Sequence, residues 1–121
     1  MGYKIFIIWT IIFAWKGNHV FGQSADPDTR NVIIKSQYLI NKKAYSKAEK
    51  YLRKSINKIK DKEAVWIELG KLAMFTKNYS SAAEYYKMAL YAKPDNKEKF
   101  TLPLVDALIK TNDWINAEYY L

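Results

Sequence analysis

The apolar positions of this chain follow two different rules. From Ile5 to Trp15 the run IFIIWTIIFAW is apolar on every face, with Thr10 its one weakly polar residue. From about Thr29 onward, apolar residues recur at three- and four-residue steps, the period of helices that turn one face inward. Between Glu63 and Thr76 the residues Trp66, Leu69, Gly70, Ala73 and Met74 draw such a stripe. The next helix is expected near Asn78, whose side chain suits an N-cap. It runs through Ala82, Tyr85, Tyr86, Ala89 and Leu90 until Pro94 stops it. Asp26-Pro27 has the form of a helix start, with Asp as cap and Pro in the first turn. Pro103 places another helix start near Thr101, after a longer loop from Lys97 to Phe100. The pattern is all-α.

The helices also repeat. Sliding the chain by 34 places brings Tyr45 onto Tyr79, Ala48 onto Ala82, Tyr51 onto Tyr85, Ser55 onto Ala89 and Ile56 onto Leu90. Upstream, Val32 falls on Trp66, Ser36 on Gly70 and Leu39 on Ala73. Two antiparallel helices per unit explain the match of small with small and large with large. Gly70 and Ala82 let backbones approach, and Trp66 and Tyr79 fill the gaps. A third copy keeps register after a one-residue insertion, with Leu104, Val105, Leu108, Trp114 and Ala117 lying 35 places beyond Leu69, Gly70, Ala73, Tyr79 and Ala82. Leu121 comes part-way along the expected last helix. A trimmed terminal cap and a truncated chain both fit. The second is favoured because Tyr119, Tyr120 and Leu121 form an apolar edge through which the chain can associate.

Glu63 to Asn96 resembles the tetratricopeptide repeat. Trp66, Leu69-Gly70, Tyr79, Ala82, Tyr86, Ala89 and Pro94 stand at the family's offsets, while Ala73 at a large-residue position and Lys77 at the turn glycine depart from it. Thr29 to Lys62 looks like a degenerate copy. Ser36, Tyr45, Ala48, Leu52 and Ser55 fit, the proline is absent, and Lys35 replaces a leucine as an end-capping adaptation. The resemblance implies an α-solenoid of antiparallel helix pairs with about two and a half repeats, at 29–62, 63–96 and, in part, 97–121. It also implies a concave groove, lined by the first helix of each pair, that captures a peptide or protein without chemistry. By repeat position the groove-facing residues are Ile33, Gln37, Ile40 and Asn41, then Ile67, Lys71, Met74 and Phe75, then Leu102, Asp106, Ile109 and Lys110. Met74 and Phe75 also have a plain reading as core residues. Chaperone-binding members use a clamp of Lys, Asn and Arg. The corresponding positions here hold Ile33, Gln37, Glu68, Lys99 and Pro103, which disfavours chaperone-tail binding.

Composition narrows the chemistry. At 121 residues there is room for one small domain, and with no Cys there are no disulfides, thiol catalysis or thiolate metal sites. The one histidine is His19, so a chain processed beyond it cannot form a Ser-His-Asp triad or a typical zinc site. Glu68 and Asp106 are separate in sequence and the tyrosines fall at packing positions, so no catalytic residue, cofactor or metal is expected. The net charge is +8, mostly from lysines that read as dispersed between acids and aromatics, a solvated face. A basic helical-repeat nucleic-acid binder is the alternative function, disfavoured by only two Arg and interleaved acids.

The eleven-residue apolar run is too short to span a bilayer, which takes about twenty residues, and suits a secretory signal instead. Val20 and Gly22 fit a cleavage site before Gln23, leaving residues 23–28 as a short linker. An uncleaved membrane anchor is the alternative. A lipoprotein signal is excluded for want of Cys. Removing residues 1–22 lowers the charge to +6. The expected location is therefore periplasm or cell envelope. Exported bacterial repeat proteins of this kind often belong to envelope assemblies, and the resemblance implies that setting.

Overall fold

Asp26 opens the first helix. Its carboxylate accepts the backbone N–H groups of Asp28 and Thr29, each at 3.1 Å, and the Thr29 hydroxyl at 2.7 Å, with Pro27 in the opening turn. These hydrogen bonds from Thr29 hold the carboxyl below its ordinary range. The computed structural model describes residues 26–121, so the apolar run Ile5 to Trp15 and the expected cleavage site before Gln23 lie outside the described residues. Helix α1 spans Pro27–Asn41 and takes in the last two residues of the expected linker. There follow α2 (Tyr45–Ser55) with a 3-10 turn at Ile56–Lys58, α3 (Lys62–Phe75) and α4 (Tyr79–Ala92). A second 3-10 segment, Pro94–Lys99, precedes α5 (Thr101–Lys110) and α6 (Trp114–Tyr120). The fold is all-α, with helices packed antiparallel against their chain neighbours.

Three of the connections share one geometry. After α1, α3 and α5 the chain turns through Lys43, Lys77 and Asn112, all in the left-handed region at φ 60°, 62° and 60°. In each turn the next N–H reaches back to a helix carbonyl: Ala44 to Leu39, Asn78 to Ala73, and Asp113 to Leu108, at 2.8–2.9 Å. The turns stand 34 and 35 residues apart, the spacings found in the sequence. One expectation is corrected here. Asn78 occupies the N-cap, yet its side chain makes no capping bond. Asp113 does cap, accepting the Asn116 N–H at 3.3 Å. The connection from α4 to α5 is tied down differently. Asn96 Nδ2 donates to the buried Glu63 carboxylate at 3.0 Å, and Lys93 pairs with both Asp61 and Glu63.

Helix α3 lies at the centre and is buried on more than the expected stripe. Ala64, Val65, Ile67, Glu68, Leu69, Gly70, Leu72 and Ala73 are all inside, since α1, α2 and α4 each pack on it. Two apolar clusters result. One gathers Val32, Ala48, Leu52, Ile59, Val65 and Leu69, and the other gathers Ala82, Tyr86, Ala89, Phe100, Leu104 and Leu108. Trp66 and Tyr85 pack against both, stacked on each other with ring centroids 6.0 Å apart. The Tyr85 hydroxyl then donates to Glu49 on α2 at 3.1 Å. The small residues Ala48, Ala82 and Ala117 are buried, and Gly70 lies under the Tyr86 ring. A β-carbon at Gly70 would stand 2.7 Å from Tyr86 Cε1 and Cζ, so this close approach requires glycine.

Candidate functional site

Between α3 and α5 the surface opens into a groove of about 490 Å³ lined by Lys71, Met74, Tyr86, Leu102, Pro103 and Asp106. Helix α1 packs directly on α3, whereas α3 and α5 barely touch. Helix α4 packs against both α3 and α5, and its Tyr86 lies in the gap. Proline in the first turn of α5 needs no N–H partner, so Pro103 and the preceding Leu102 can form the far wall at no cost to the helix. Leu102 is 72% exposed, more than any buried wall needs, and Met74 is half-buried opposite it.

Charge surrounds this apolar strip. Glu68 is buried and lies 3.5 Å from Lys71 Nζ, while Asp106 accepts from Lys110 Nζ at 3.0 Å. Burial, and after it the negative charges of Glu68 and Asp106, push the Tyr86 hydroxyl up to about 12. The two carboxylates are separate in sequence, but both act on this one phenol. The Tyr86 phenol is neutral at physiological pH.

The expected groove residues divide into four groups. Lys71, Met74, Leu102 and Asp106 come together in the groove, and Lys110 joins its rim through Asp106. Gln37 and Ile40 are half-buried on α1, Asn41 is exposed at its end, and Ile109 is partly exposed on α5. None of these four lines the groove. Ile33 and Ile67 require correction. They are only 6% and 5% exposed, because their helices also contact neighbouring helices beyond their own pair, so both are core residues. Phe75 is exposed and its ring lies 5.4 Å from that of Tyr45. Lys110 Nζ sits 5.2 Å over Tyr79, the corresponding contact one unit further on. Of the positions aligned with the chaperone clamp, Ile33 and Glu68 are buried.

Sequence reasoning missed Tyr86 and Pro103 as groove residues. Tyr86 carries two roles, lying against Gly70 and lining the groove, and spacing showed only that position 70 is small. Among the described residues no three His, Cys, Asp or Glu side chains gather as a metal ion would need, and no helix is long and apolar enough to cross a membrane. The chain matches no protein-family model, and no curated protein matches it in sequence.

Proposed function

We propose that the chain is a non-catalytic binding module of the tetratricopeptide type, whose stacked helix pairs capture an extended or helical segment of a protein partner. The groove between α3 and α5 is the observation that carries this reading. It is open, its floor and walls are apolar, and its rim offers both charge signs through Lys71, Asp106 and Lys110. The recurrent turns at Lys43, Lys77 and Asn112 support the repeat itself, as do the small residues Ala48, Ala82 and Ala117 at matching positions.

An apolar side chain of the partner fits between Met74 and Leu102, with a polar or basic neighbour reaching Asp106. Peptides selected from a displayed library against the full chain test this. Binding of the selected peptides is expected to fall at least tenfold in Met74→Glu and Leu102→Glu, and to be unchanged in Glu84→Gln on the exposed face of α4. Equal binding by all three variants refutes the groove. The same proposal places the chain outside the cytoplasm, released by cleavage before Gln23. N-terminal sequencing of the protein from its native membrane and periplasmic fractions checks this, and an intact Met1 in the cytosol contradicts it.

A further inference from the structure

Helix α2 and the turns on either side of it carry more charge than their packing uses. From Lys42 to Lys62 there are nine Lys and Arg against two acids, Glu49 and Asp61, whereas the rest of residues 26–121 holds nine cations and ten acids. The surplus that reads as dispersed along the sequence is thus concentrated in one segment, and all nine cations are exposed. Some have local partners: Arg53 lies 3.8 Å from Glu49, Lys62 Nζ donates to the Ile56 and Ile59 carbonyls, and Lys42 lies over the Tyr38 ring. Lys43, Lys47, Lys50, Lys54, Lys58 and Lys60 have no ion pair among the described residues. Lys47, Lys50 and Lys54, at i, i+3 and i+7, form one stripe on α2.

The fold does not require this stripe. The matching positions of α4 are Ser81, Glu84 and Met88, and that helix packs in the same manner with no positive stripe. Mutual repulsion of unpaired lysines disfavours the folded helix unless something anionic neutralises it.

We infer that this cationic face of α2 docks on an anionic phospholipid surface. The charges are almost all lysine, compact ammonium groups on flexible stems that follow mobile phosphate headgroups without a fixed bidentate geometry. Bases of a nucleic acid would need free stacking platforms, and the two rings of α2, both half-buried, are engaged, Tyr45 with Phe75 and Tyr51 with Lys35. A folded acidic protein would need an anchoring pocket. The adjoining cleft is lined by Ser46, Glu49, Lys50, Arg53 and Lys54 and has no apolar anchor. A second copy supplies almost no net negative charge to meet it, since the remaining segments hold nine cations and ten acids. None of the stripe residues lines the α3–α5 groove, so the two surfaces are independent.

The test is partition of the full chain onto vesicles of phosphatidylcholine alone and of equal parts phosphatidylcholine and phosphatidylglycerol, at low and high salt. The apolar N-terminal run is common to every variant, and its contribution is read on the neutral vesicles. Wild type is expected to prefer anionic vesicles strongly, with the preference lost in high salt. The variant K47Q/K50Q/K54Q is expected to lose on the order of a hundredfold in that preference. K77Q/K97Q/K99Q, with the same change in net charge, and K47R/K50R/K54R are expected to keep most of it, helical content being verified for each. Equal loss in K47Q/K50Q/K54Q and K77Q/K97Q/K99Q overturns the site, as does a wild-type chain indifferent to lipid charge. Tighter salt-sensitive binding to single-stranded DNA or to polyglutamate than to the anionic vesicles overturns the choice of lipid.

Discussion

Gly70 and Tyr86 show how a single atom sets the spacing of two helices. Alanine at position 70 would gain up to about 1 kcal/mol in helix propensity, but its β-carbon would have to displace the buried Tyr86 ring, at a cost of about 1–3 kcal/mol. Gly70→Ala is therefore expected to lower the unfolding free energy by about 1–2 kcal/mol in urea titrations. In a Tyr86→Leu background the same substitution should become neutral or stabilising, because the ring is gone. Tyr86 also makes a spectroscopic prediction. Its phenol is held neutral up to about pH 12 in the fold, against about 10 when unfolded, so the folded state retains a proton the unfolded chain has lost. Its contribution to stability is complete below pH 10 and disappears as pH rises toward 12. Burial raises Tyr85 and Tyr120 as well, so tyrosinate absorbance should show a late component that Tyr86→Phe diminishes but does not abolish. The smallness of position 70 was legible in the spacing. The identity of the ring above it was not, since a 34-residue period says which positions are close but not which way a ring leans.

The turns are the element that repeats most faithfully, although their residues do not. Lys43 and Lys77 occupy left-handed positions that cost a side chain about 1–2 kcal/mol, while glycine there costs only about 0.5–1 kcal/mol of backbone entropy. Lys77→Gly and Lys43→Gly are each expected to raise the urea midpoint, by an amount worth about 0.5–1 kcal/mol, with an unchanged slope. Asn112→Gly should give less, because asparagine tolerates this conformation. Lys77 at the turn was readable as a departure from a glycine position, and the structure shows the chain adopting glycine's conformation regardless. Helix boundaries were legible to within a residue or two, because Asp26-Pro27, Pro94 and Pro103 act locally. The inward faces were less so. Ile33 and Ile67 were read as groove residues because periodicity distinguishes one helix face from another, and α3 has neighbours on several faces.

At the scale of the molecule, Trp66 and Tyr85 join two apolar clusters that otherwise belong to successive helix pairs. Trp66→Ala removes a large bridging side chain, with an expected loss of about 3 kcal/mol. Circular dichroism and tyrosine fluorescence should then cease to report one coincident unfolding transition, as α1–α2 separates from the remainder. The two surfaces left after folding were unequally visible in sequence. Lys71, Met74, Leu102 and Asp106, named by repeat position, line one groove. The cationic concentration on α2 was overlooked because lysines interleaved with other residues along the chain look dispersed until helical spacing aligns them. The most direct measurement of groove binding is amide and methyl chemical-shift mapping of the full chain titrated with a selected peptide. A groove-binding protein shifts Lys71, Met74, Tyr86, Leu102 and Asp106 together, with saturation at one equivalent. Shifts confined to α2 or α6, with those five residues unmoved, would mean that the groove is only a gap between helices.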